Sequence, residues 1–129
     1  MPCSDVLSNQ VPKMEELAAD DVRQRLPRFQ SVNIEKNLGL RSALEAIARR
    51  KNATLAQLSI AWPMTQGKRA GVFIVPIPGA KSRTHIEENV RAADIVLTAE
   101  DLAEIDRIVP PGAASGNRYP IRQMHRLNV

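Results

Sequence analysis

The 129-residue chain is 43% hydrophobic and 25% charged, globular values that exclude general disorder and allow one buried core. Only 3% of its residues are aromatic, so base stacking, the usual means of holding single-stranded nucleic acid, has little to work with. The net charge of +4 is spread rather than run together, a mild basic excess compatible with an anionic ligand without requiring one.

The single cysteine, Cys3, allows no intrachain disulfide and no thiol metal cluster. His85 and His125 lack the short spacing of a zinc motif, so no metal site is expected. The start, MPCSDVLSNQ, has no apolar signal-peptide core, and the longest apolar run, Val72 to Ile77, is far too short to span a bilayer. A cytoplasmic protein without membrane contact is the expectation.

In chain order, residues 1 to about 30 have no clean period and carry Pro2, Pro12 and Pro27. Val6-Leu7 is the only hint of a strand there, and MEELAADDVRQRL offers a short helix that Pro27 would end. From Asn33 the helical signal strengthens, with Leu40, Ala43, Leu44, Ile47 and Ala48 forming one apolar stripe. A second helix starts at Thr54, where Thr54 and Gln57 have the spacing of a capping box. Its inner face is Leu55, Leu58, Ser59 and Trp62, and Pro63 is expected to end or kink it.

VFIVPI, Val72 to Ile77, is continuous rather than alternating, the pattern of a strand buried on both faces in a parallel sheet. A third helix is predicted from about Arg83 with Ile86, Val90 and Ala93 inward. A fourth is capped by Thr98 with Asp101 three residues on, faces Leu102, Ile105, Ile108 and Val109 to the core, and stops at Pro110-Pro111. Residues 112–129 then read as an irregular tail carrying Arg118, Arg122 and Arg126. One parallel-type strand cannot satisfy its own backbone, so either a helical bundle surrounds it or the chain is part of something larger.

The chemistry concentrates in FIVPIPGAKSRTHIEENV. Gly79 permits a sharp turn and close backbone approach, Ser82 is placed to N-cap the next helix, and Lys81, Arg83 and His85 surround that cap. Such a helix start can hold an anion. The same spacing fits a surface helix with solvated cations, and it is neither the dinucleotide G-x-G-x-x-G nor a P-loop.

FIVPIPGAKSRTHIEENVRAADIVLTAEDLAEID, with TLAQLSIAW before it and GAASGNRYP after it, resembles the C-terminal segment of bacterial aldo-keto reductases. DVRQRLPRFQSVNIEKNL fits the same family's preceding loop and helix, so the likeness is collinear from about Val6 to Pro120. It implies an α/β fold: the C-terminal part of a (β/α)8 TIM barrel, mostly helical here, with Val72 to Ile77 as the last barrel strand. It implies NADP(H) as cofactor, with Gly79, Ala80, Lys81, Ser82 and His85 around the adenosine 2′-phosphate and Glu88 and Asn89 at the adenine. Many relatives have arginine where this chain has His85, which weakens the expected selectivity for that phosphate.

The tyrosine, lysine, aspartate and histidine that such a reductase uses would come from its N-terminal half. The single tyrosine, Tyr119, falls on a tail motif, so no catalytic residue is assigned here. The expectation is a partial reductase domain over residues 1–129, truncated or split, inactive alone and able to take a small carbonyl substrate only with the missing half. Two alternatives stand beside it. One is an interaction or regulatory remnant docking through the strand edge. The other, a small basic helical nucleic-acid module suggested by the turn Lys51-Asn52-Ala53, lacks a basic helix face, so no nucleic-acid partner is expected.

Overall fold

The computed structural model describes residues 17–125, and the expectations on Cys3, Val6-Leu7 and Arg126 lie outside them. Two 3-10 turns, Val22–Arg25 and Pro27–Phe29, lead into five α-helices: α1 Ser31–Arg50, α2 Leu55–Arg69, α3 Arg83–Arg91, α4 Ala99–Ile108 and the single turn α5 Ile121–Met124. A further 3-10 turn, Ala92–Asp94, follows α3. The short helix expected before Pro27 shrinks to the turn Val22–Arg25 among the described residues.

The core joins three helices. Leu44, Ile47 and Ala48 of α1 meet Leu55, Leu58 and Ala61 of α2, with Leu97 and then Leu102 and Ile105 of α4. Each buried aliphatic side chain of this size contributes roughly 1.5–3 kcal/mol relative to exposure. The predicted stripes of α1, α2 and α4 are therefore the faces that pack. The predicted capping box of α2 forms, and the cap expected at Thr98 of α4 is a capping box as well. The Thr54 hydroxyl accepts the Gln57 N–H at 3.2 Å and Gln57 Oε1 accepts the Thr54 N–H at 3.0 Å. Thr98 and Asp101 do the same for α4, at 3.2 and 2.7 Å.

Between α1 and α2 the chain reverses through a Schellman motif. Asn52 takes a positive φ of 51°, the Ala53 N–H bonds Ala48 O and the Asn52 N–H bonds Arg49 O, both at 3.0 Å. Asparagine tolerates this left-handed geometry better than most residues. Gly71, at φ 68°, ends α2 the same way, with the Val72 N–H returning to Gly67 O at 2.9 Å.

Pro63 does not end α2, which runs six residues past it to Arg69. The ring removes one helical donor, but Leu58 and Ala61 before it and Gly67 after it are buried, so tertiary packing holds both sides of the break. Trp62 packs against the core, and its indole N–H is buried without a hydrogen-bond partner among the described residues.

The strand expected over Val72 to Ile77 is absent, and the described residues contain no strand. Phe73 and Ile77 are each 93% exposed, and Val72 and Val75 are also largely exposed. The segment is apolar enough for a buried strand, but no neighbouring strand offers it a ladder, and one strand cannot pair its own backbone. The inward face predicted for α3 is likewise overturned. Ile86, Val90 and Ala93 are exposed, no residue of α3 is buried, and Ala92 just after it is buried instead.

Asp101 ties α4 to the end of α1 through Lys51, whose Nζ lies 2.5 Å from Asp101 Oδ2, and Arg50 pairs with Glu104 alongside. Burial alone would push the Asp101 carboxyl up, but the Lys51 ammonium and hydrogen bonding from Thr98 outweigh it and hold the group below its ordinary value of 3.8. A depressed carboxylate contributes stability that is present above its unfolded value and lost as pH falls through the folded one. Urea midpoints should therefore drop as pH falls below the ordinary value of 3.8, and by less in Asp101→Asn than in the parent.

Candidate functional site

The chain leaves Gly71 without regular secondary structure and reaches α3 through Pro78, Gly79, Ala80 and Lys81, all exposed. Gly79 does not take a left-handed φ, so the sharp turn expected there is not made. The space beside it is open, with nothing within 4 Å of where a Cβ would stand.

Ser82 caps α3 as predicted, with φ −137° and ψ 154°, and its Oγ accepts the His85 N–H at 3.2 Å. The Ile86 N–H returns to Ser82 O at 3.1 Å. The N–H groups of Arg83 and Thr84 come before the first helical bond and face outward, with the positive end of the helix dipole behind them. Arg83 pairs with Glu87 one turn on, Nε to Oε1 at 2.8 Å. That pair is exposed, contributes little, and can yield to an incoming anion. Lys81 makes no hydrogen bond or ion pair among the described residues. Lys81, Ser82 and the first-turn N–H groups thus form one exposed cluster of donors.

Glu88 and Asn89 lie further along α3 and are half-buried, Glu88 against the start of α2. Glu88 Oε1 accepts the Thr54 hydroxyl at 2.6 Å, and its carbonyl accepts Gln57 Nε2 at 3.0 Å. The structure therefore brings Gly79 through His85 together at one end of α3, and sets Glu88 on the cap of α2. Residues 34 apart meet in that contact, so no local spacing in the sequence announces it.

The sequence reading also missed a clamp on the tail. Asn37, only 4% exposed, accepts the Ser115 N–H at 2.8 Å and donates to Ser115 O at 3.1 Å and to Arg28 O at 3.3 Å. Asn33 accepts the Ser115 hydroxyl at 2.7 Å. The clamp fixes GAASG beside α1 and forms a groove of about 400 Å³ whose lining includes Arg28, Gly116, Asn117 and Arg118. Tyr119, the only tyrosine, is half-buried in this tail. Among the described residues no three His, Cys, Asp or Glu side chains gather as a metal site would need, and no helix is long and apolar enough to cross a membrane.

These features give a helical module whose α3 begins with exposed, Ser82-capped donors, a kind of helix start that can hold an anion. The Aldo/keto reductase family model matches residues 4–110, and the chain belongs to that family of oxidoreductases, whose fold is a (β/α)8 barrel. It is 39% identical over 93 residues to "Probable aldo-keto reductase 1" of Glycine max, covering 72% of this chain and 26% of that protein. It is 34% identical over 113 residues to "Aldo-keto reductase str7" of Strobilurus tenacellus, covering 88% of this chain and 32% of the relative. It is 39% identical over 100 residues to "Aldo-keto reductase yakc [NADP(+)]" of Schizosaccharomyces pombe, covering 78% of this chain and 28% of the relative. The chain spans about a quarter to a third of the length of these curated relatives. No solved structure matches it significantly.

Proposed function

We propose that this chain carries the adenosine-phosphate end of the cofactor site in an NADP(H)-dependent reductase that interconverts carbonyls and alcohols. The observation that carries the reading is the Ser82-capped start of α3 with Lys81 uncommitted beside it, in a chain of this family. The Schizosaccharomyces pombe relative bears NADP(+) in its name, which supports the same cofactor here. The donor types suit a phosphate, since an ammonium, a hydroxyl and main-chain N–H groups follow one another at the exposed helix start and the nearby Glu87 is turned to Arg83.

In this reading Lys81, Ser82 and the first-turn N–H groups grip the 2′-phosphate, with Gly79 and Ala80 leaving it room and His85 at its edge. Glu88 and Asn89 face the adenine. NADPH, when bound, supplies the hydride for carbonyl reduction. The residues of this chain bind and orient one end of it, and the proton donor and carbonyl pocket belong to residues outside this chain. The exposed Phe73, Val75 and Ile77 support that division, because they are the surface neighbouring barrel strands would cover.

Calorimetric titration of the chain with NADPH and with NADH tests the proposal, alone and mixed with the N-terminal part of a related reductase. Tighter binding of NADPH is expected. Absence of binding in both preparations would overturn it. A second reading, an interaction module that adds Val72 to Ile77 to the sheet edge of a homologous barrel, is favoured by the same exposure. It predicts a stable complex with that homologue in the absence of any nucleotide.

A further inference from the structure

We propose that Thr54 is a positioning residue for the nucleotide base, holding the Glu88 carboxylate so that its remaining acceptor capacity selects an amino group over a carbonyl. The inference rests on the placement of the nucleotide given above and names what reads its base.

The helix that bears the anion site buries no residue of its own, so its position depends on a few polar ties. Two hydrogen bonds close the α2 capping box and two more tie it to one residue of α3, Glu88. A carboxylate cannot donate, so the Thr54 hydroxyl must spend its only proton on Glu88 Oε1, at 2.6 Å, while its oxygen accepts the Gln57 N–H at 3.2 Å. Gln57 is used at both ends as well. Its Oε1 closes the capping box and its Nε2 holds the Glu88 carbonyl at 3.0 Å. The side chain and the main chain of Glu88 are thereby fixed to the same cap.

Thr54 and Glu88 together line a cleft of about 280 Å³, with Ala53, Leu55 and Ala56 at the start of α2 and Arg49 near the end of α1. Glu88 stands six residues after Ser82, about 9 Å along the axis at the rise of an α-helix. A phosphate at the helix start and a purine edge near Glu88 are thus within the reach of one adenosine. With one oxygen tied to Thr54, the carboxylate can accept a 6-amino group and would oppose an oxygen at that position.

The test pairs NADPH with deamino-NADPH, in which oxygen replaces the adenine amino group, on the full chain by fluorescence titration. The parent should prefer NADPH by about tenfold, the low end for a hydrogen bond to a charged group. Thr54→Ser keeps both the cap and the donor and should keep that preference. Thr54→Asp keeps an N-cap oxygen but has no proton to give and opposes Glu88, so the preference should vanish while far-UV circular dichroism stays unchanged.

Glu88→Gln supplies a second readout that leaves α2 intact. Thr54 would hold the amide oxygen and turn the NH₂ toward the base, and the preference should invert to deamino-NADPH. A Thr54→Asp protein that keeps the parental preference, or a Glu88→Gln protein that loses preference without inversion, overturns the role of Thr54 and leaves the cofactor site standing. A parent that binds neither nucleotide overturns both.

Discussion

Replacing Asn37 by leucine is expected to destabilise the chain by about 3 kcal/mol or more, since each buried backbone group left unpaired costs roughly 1–3 kcal/mol. The side chains are close in size, so the loss is in polarity rather than volume. Asn37 is 4% exposed and satisfies three main-chain groups: the N–H and carbonyl of Ser115 and the carbonyl of Arg28. Leucine removes the partner that Asn37 offers to each of the three, in a partly buried place.

Asn37→Asp should also destabilise, because it keeps the acceptor for the Ser115 N–H but sets a carboxylate against two carbonyls. Neighbouring Gly116 has φ 84°, and a Cβ there would lie 2.7 Å from Asn33 Nδ2 and 3.0 Å from the Pro27 carbonyl. The clamp therefore has no slack for rearrangement. Urea unfolding followed by Trp62 fluorescence gives the magnitude, and limited proteolysis of residues 112–120 should accelerate in parallel. A loss below about 1 kcal/mol, the net contribution of a single hydrogen bond, would show that the tail does not depend on the clamp.

Lys81→Ala should weaken NADPH by about tenfold or more and NADH by much less, because a charge-assisted contact to phosphate is the stronger kind of hydrogen bond. The asymmetry is what carries the test. NADH lacks the 2′-phosphate, so a lysine serving that group has little to lose with it. Arg83 is partly occupied by Glu87, which leaves Lys81 as the cation without a competing partner among the described residues. Equal losses for the two nucleotides would mean that Lys81 acts on the shared part of the cofactor or on the protein alone.

What the sequence makes legible is whatever is settled within one or two turns of helix. Thr54 with Gln57, Thr98 with Asp101 and Ser82 with His85 each cap a helix through groups three residues apart, and each cap is found. The stripes from Leu44 to Ala48 and from Leu102 to Ile105 announce their burial by period alone. Val72 to Ile77 misleads for the opposite reason. Its composition anticipates strands on either side, and among the described residues there are none.

Ile86 and Val90 fail with it, since an amphipathic face is buried only when something packs on it. Pro63 shows packing on both sides overriding a local break. The candidate site divides along the same line. Gly79 to His85 is contiguous and readable, whereas the Thr54–Glu88 bond and the Asn37–Ser115 clamp join residues 34 and 78 apart.

The measurement that bears most directly on the cofactor site is a titration of the isotope-labelled chain with adenosine 2′,5′-bisphosphate, followed by backbone amide chemical shifts. The largest changes are expected at Lys81 through His85, where the free N–H groups of α3 meet the 2′-phosphate, with smaller ones at Glu88 and Asn89. Saturation without change at α3, or changes centred on the Arg28, Gly116 and Arg118 groove, would contradict the assignment of the phosphate to the start of α3.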